Sequence, residues 1–240
     1  MHDAMNQEKQ NEGQDGSQDE NRDQALARFA EARPQLIAAT GLAWAWHGHL
    51  TRKGRPTSYL SHLLAVQGLV IESGGGPDEA IAALLHDSLE DAATRDERRE
   101  REHVIRERCG EAVLRIVLDC TDTLPDESHA DKLPWRERKE RFLAALAHTE
   151  PASRLVVACD KRHNLGDLVW DLHHEGPPTF ARFNAGPADQ LWYFESVTRI
   201  CGDAIPPRLA LEFERLLADL AAACPAPKRD KRPTEPGAER

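Results

Sequence analysis

The sequence predicts an all-α fold. Apolar residues between Gln24 and Cys224 recur at the spacing of one helix face, run after run. Clusters of glycine and proline separate these runs, as they separate helices. No stretch of useful length alternates apolar with polar residues, and no hairpin signal appears. Helices that each own an apolar stripe can bury it only against one another, so the expected architecture is a helical bundle.

The elements follow in order. Gln24 to His49 reads as helical, with an early break marked by Pro34 because proline removes a backbone donor. The polar loop TRKGRPTS comes next, then the apolar run YLSHLLAVQGLVIES from Tyr59 to Ser73. Gly74-Gly75-Gly76 stops that run. The triplet lacks the Lys-Ser/Thr of a phosphate loop and reads as a helix-to-helix linker. Pro77 sits at a first-turn position with Asp78 and Glu79 behind it, which is a strong helix start. Further helices are expected over 97–122, 135–148, 152–174, 190–201 and 206–224.

The chain of 240 residues is expected to form one domain, 25–224, between two disordered tails. The tail 1–24 is polar and acidic without the apolar core of a signal peptide, and 225–240 is charged and rich in proline. Five cysteines, scattered and never spaced C-x-x-C, fit free thiols in a reducing cytoplasm. No apolar run approaches the length of a membrane span. A formal charge of −10 argues against binding a nucleic-acid polymer, although a small anionic substrate can still find a locally positive pocket.

The stretch AIAALLHDSLEDA carries the chemistry. Ala80 to Leu85 reads as a helix buried on all sides, yet His86, Asp87, Glu90 and Asp91 follow at once. Burying unpaired charge costs several kcal/mol or more, so something must compensate it. On a continuous helix His86 and Glu90 share one column, and Asp87 and Asp91 share the next. Two other apolar runs each deliver one further group, His62 in YLSHLLAV and Asp160 in RLVVACD. Taken alone, His62 would be a hydrogen-bonded core histidine and Asp160 the partner of a cation. Together, two imidazoles and two carboxylates from three helices are compensated at once by a shared divalent cation.

An H…HD…D arrangement on helices resembles the HD superfamily of metal-dependent phosphohydrolases. The closer resemblance is to the hydrolase domain of RelA/SpoT homologues, most of all the stand-alone small alarmone hydrolases. It runs from about Leu42 to Val197 on the motifs RKG (52–54), YLSH (59–62), ALLHDSLED (83–91), CTD (120–122), WRERKE (135–140), DKRHNL (160–165), RFN (182–184) and LWY (191–193). The resemblance implies an HD-domain helical bundle with Mn²⁺ held by His62, His86, Asp87 and Asp160. It implies removal of the 3′-pyrophosphate from guanosine tetra- or pentaphosphate, or from the adenosine counterparts. Glu90 and Asp91 then orient and activate the attacking water, while Arg52, Lys53, Asn164 and Tyr193 contact the nucleotide. Lys139 is the basic residue expected near the substrate phosphates, against the alternative of a solvated helix face.

The residue chemistry agrees. A mixed nitrogen and oxygen set suits Mn²⁺ without excluding Fe²⁺, Zn²⁺ or Mg²⁺, and a carboxylate one turn from the ligands can take a proton from water. The chain departs from its relatives at Leu50, at Arg55-Pro56-Thr57 and at Ser58, all beside the presumed base wall, and at Arg162. Base identity therefore stays open. His163, His173 and His174 read as surface histidines. Two rival readings remain: another nucleotide phosphatase on the same site, such as one removing the 2′-phosphate of NADPH, and a non-catalytic alarmone-binding module. A mere binder has no use for Glu90 and Asp91.

Overall fold

The computed structural model describes residues 22–123 and 133–224. Apart from 22–24, which are helical, the expected tails fall outside the described residues. The first helix, α1, covers 22–31, and Pro34 starts α2 (Arg33–His47) where the break is predicted. The chain continues through α3 (Leu60–Glu72), α4 (Pro77–Leu85), α5 (Arg95–Cys109), α6 (Glu111–Cys120) and α7 (Trp135–Leu146). It ends with α8 (Pro151–Glu175), a 3-10 turn (Pro177–Arg182), α9 (Pro187–Cys201) and α10 (Pro207–Ala223). Among the described residues the only β pairing is one antiparallel bridge, Thr51 with Ser58, which pinches the loop between α2 and α3.

Two helices organise the rest. The short α4 is buried along its whole length, and its alanines at 80, 82 and 83 let α2, α3, α6 and α8 approach it closely. The long α8, about 37 Å at 1.5 Å per residue, packs on α3, α4, α6, α9 and α10. Fully buried Leu63, Ile81, Leu84, Leu114, Leu165 and Phe213 fill the space between them. Proline at the first turns of α4, α8, α9 and α10 sets where each begins, since its missing N–H would be unpaired there in any case.

Two expectations need correction. The single helix expected over 97–122 is two helices, because Gly110 takes φ 100°, a backbone region that glycine enters without a Cβ penalty. The Pro77 helix is also shorter than expected. The helix ends at Leu85, and residues 86–91 form successive turns. Their bonds run Ser88 N to Leu85 O (2.9 Å) and Asp91 N to Asp87 O (3.0 Å), and Arg101 holds the Ser88 carbonyl at 2.6 Å. On a regular helix His86 and Asp87 would diverge by 100°. Here Nε2 of His86 and Oδ2 of Asp87 lie 3.0 Å apart.

Candidate active site

Three helices bring the ionisable groups together. From α3, Nε2 of His62 lies 3.2 Å from Asp160 Oδ1 and 3.6 Å from Asp87 Oδ2. From the end of α4, Nε2 of His86 lies 3.0 Å from Asp87 Oδ2 and 3.5 Å from Asp160 Oδ1. His62, His86 and Asp160 can hold a metal ion, since one ligand atom from each lies within 4.8 Å of the others. Asp87 adds its Oδ2 to the same space, and that oxygen also accepts a 2.6 Å hydrogen bond from the Tyr59 hydroxyl.

The donor set fits a divalent cation. His86 donates from Nδ1 to the Ala83 carbonyl at 2.8 Å, which leaves the Nε2 lone pair for the site. That buried Nε2 makes no well-aligned hydrogen bond of its own. His62 is oriented likewise, with Nδ1 3.0 Å from Nδ1 of His163. Without a cation the cluster borrows protons. Burial opposes charge on His86, but Asp87 and Asp160 outweigh it and raise its pKa well above the usual value. Burial would raise Asp160, but the charges of Lys161 and His86 hold it well below the carboxylate range. Displacing those protons is how a cation enters such a site.

Asp160 links the cluster to a cavity of about 310 Å³. Its Oδ2 is paired with Lys161 and its Oδ1 accepts from Asn164 Nδ2 at 2.6 Å. Lys161 and Asn164 both line the cavity, together with Arg52, Lys53, Lys139 and Tyr193. The structure thus gathers all five sequence-predicted substrate contacts around one cavity. Arg52 donates to Asn164 Oδ1 (2.9 Å) and Asp167 Oδ2 (2.8 Å). Gly54, at φ 75°, turns the loop so tightly that a Cβ there would stand 3.0 Å from the Arg182 side chain. Lys139 is no solvated charge. It pairs with Asp122 at 2.5 Å and lies 4.9 Å from the Tyr193 ring centroid. Glu90 and Asp91 stand on the turn beside the cluster, Glu90 Oε1 3.8 Å from Arg138 and Asp91 Oδ2 3.6 Å from His47.

Several partners were not legible beforehand. His163 is not a surface histidine: its ring packs against His62 at 4.8 Å between centroids. His173 and His174 are exposed, as expected. Asp122 holds both Arg138 and Lys139 although its motif names no role for it. Asp167 and Asp171, which bind Arg52 and Arg55, did carry a signal. Residues 160, 164, 167 and 171 are spaced four, three and four apart and so share one face of α8.

A helical bundle that closes two histidines and two aspartates over a cation-lined cavity defines a class, and the comparisons give the same one. The HD-domain family profile matches residues 39–185, and this chain belongs to that family. Among its relatives is guanosine-3′,5′-bis(diphosphate) 3′-pyrophosphohydrolase MESH1 of Mus musculus. It is 34% identical over 139 residues, which cover 56% of this chain and 69% of that protein. MESH1 of Homo sapiens matches to the same extent. Among solved structures, lmo0812 from Listeria monocytogenes EGD-e aligns with a TM-score of 0.53 at 24% identity, over 65% of this chain and 96% of that one. A metazoan orthologue of SpoT described as hydrolysing ppGpp aligns with a TM-score of 0.56 at 21% identity, over 77% and 94%. These two likenesses are of fold.

Proposed function

We propose that this chain is a metal-dependent pyrophosphohydrolase that removes the 3′-diphosphate from nucleotides such as guanosine-3′,5′-bis(diphosphate). The observation that carries the reading is the direct pairing of Asp160 in the His/Asp cluster with Lys161 and Asn164, which line the cavity. The activity named for the MESH1 relatives supports it. His62, His86, Asp87 and Asp160 would hold the cation, and Mn²⁺ suits their mixed nitrogen and oxygen donors. When bound, it supplies Lewis acidity, lowering the pKa of water and offsetting phosphoryl charge.

The protein groups do the rest. Arg52, Lys53 and Lys139 would meet the substrate phosphates, with Arg52 able to pair bidentately, and Asn164 and Tyr193 would border the nucleotide. Glu90 and Asp91 would aim the water and take its proton. A bond forms between the water oxygen and the phosphorus on the ribose 3′-oxygen, while the bond from that phosphorus to the 3′-oxygen breaks. Pyrophosphate leaves, and the 3′-oxygen regains a proton as a hydroxyl. A cavity with several cations favours a diphosphate over a monophosphate, because more phosphoryl oxygens can be matched. No helix among the described residues is long and apolar enough to cross a membrane, and all five cysteines are free. A small-molecule substrate and a cytoplasmic location complete this reading.

Two results would test it. Mn²⁺-loaded protein should release pyrophosphate from guanosine or adenosine 3′-pyrophosphates, and should act weakly on simple 2′- or 3′-monophosphates. The reverse selectivity, including efficient removal of the 2′-phosphate of NADPH alone, would overturn the substrate assignment. Arg52→Ala should raise KM by about tenfold, the loss of one charge-assisted pair, with cation content unchanged. Unaltered KM would remove Arg52 from the binding set.

A further inference from the structure

His47, at the last turn of α2, is an ionisable group beside the cluster to which the reaction above gives no task. It is fully buried. Its Nε2 lies 3.4 Å from the Ser88 hydroxyl, and its Nδ1 lies 3.6 Å from Asp91 Oδ2 without making a hydrogen bond. Its ring stacks on Tyr59, with centroids 5.6 Å apart and planes at 28°, and Tyr59 in turn donates to Asp87. Burial, aided by Arg101 against the pull of Asp87, lowers the His47 pKa to about 4. The ring is therefore neutral near pH 7 and carries one N–H.

The tautomer follows from the neighbours. The Ser88 hydroxyl can donate to Nε2 or accept from it, whereas the Asp91 carboxylate beside Nδ1 can only accept, which places the proton on Nδ1. Nδ1 then stands 3.6 Å from the Asp91 carboxylate, a gap slightly too long for a hydrogen bond. A buried N–H without a partner is costly, and contacts that work in catalysis are often long until substrate is bound. Core packing alone accounts for the ring but not for a polar edge aimed at a carboxylate. The turn that carries both partners is itself held, by Arg101 on the Ser88 carbonyl at 2.6 Å.

We infer that His47 is a positioning residue: its Nδ1–H orients the Asp91 carboxylate toward the attacking water, and Ser88 fixes the tautomer that makes this possible. The inference rests on the reading of Asp91 as a water-activating group. His47 touches neither substrate nor cation and acts only through Asp91.

The test compares His47→Phe, His47→Asn and His47→Gln in the wild-type and Asp91→Asn backgrounds, with 3′-pyrophosphorylated guanosine as substrate. Phenylalanine keeps volume and stacking but has no donor. Asparagine places an amide nitrogen near the Nδ1 position, whereas glutamine places one near Nε2. His47→Phe should lower kcat by about tenfold to a hundredfold, the cost of a misaligned group, with KM and cation content unchanged. His47→Asn should retain more activity than His47→Gln, a contrast that holds even if the phenylalanine variant folds poorly. In the Asp91→Asn background His47→Phe should cost nothing further, because the two act as one unit. An equal cost in both backgrounds, or glutamine outperforming asparagine, would overturn the inference and leave the proposed function standing. Normal turnover by Asp91→Asn alone would overturn both the inference and the water-activating role.

Discussion

Asp160→Ala should strip the divalent cation from the protein and abolish turnover. Asp160 Oδ1 lies 3.2 and 3.5 Å from the two imidazole nitrogens, so the substitution removes the atom on which the cluster converges. It also takes the carboxylate partner from Lys161, whose side chain is only 16% exposed, and one acceptor from Asn164. Breaking a buried pair from one side costs about 3–5 kcal/mol, because the remaining charge is left uncompensated. Elemental analysis and thermal unfolding should therefore show both effects. A variant that keeps its cation and its melting temperature would remove Asp160 from the ligand set.

Glu90→Gln and Asp91→Asn should separate turnover from cation binding. Each exchange keeps the shape of the side chain and replaces one carboxylate oxygen with an amide nitrogen that cannot take a proton. Neither residue is among the four that would hold the cation. Turnover should fall by about two orders of magnitude or more, the usual worth of a general base, with cation content preserved. Single-turnover rates are the better readout, since product release can mask a slower chemical step. If both variants keep near wild-type rates, the proton goes to another residue.

The two predictions draw on features of unequal legibility. The helix order was readable because each helix announces itself locally. Gly74-Gly75-Gly76 stops α3, and Pro77 with Asp78 and Glu79 starts α4. The metal-type cluster was readable because His62, His86, Asp87 and Asp160 each interrupt an apolar run, and a polar group there needs compensation wherever it points. The end of α4 was not. A hydrophobic period continues smoothly through Leu89, so the sequence reads as helix, while the hydrogen bond from Arg101 to the Ser88 carbonyl comes from another helix. Gly110 was passed over for a related reason, since a lone glycine within a helical pattern is usually tolerated.

The partners of the site residues lie furthest from the sequence. His163 looked like one of several charged surface groups, and only the packing of α8 on α3 sets its ring against His62. Nothing local marks His47, and only the packing of α2 near the 86–91 turn sets it 3.6 Å from Asp91. By itself the sequence determined the all-helical class, the order of the helices, and which buried runs carry ionisable groups, because these follow from periodicity and from the cost of burying charge. The tertiary structure alone decided which groups meet, how far apart they stand and which histidine nitrogen is left free. Those depend on helices distant in the chain crossing at particular angles, and no local pattern encodes a contact between residues 41 or 101 positions apart.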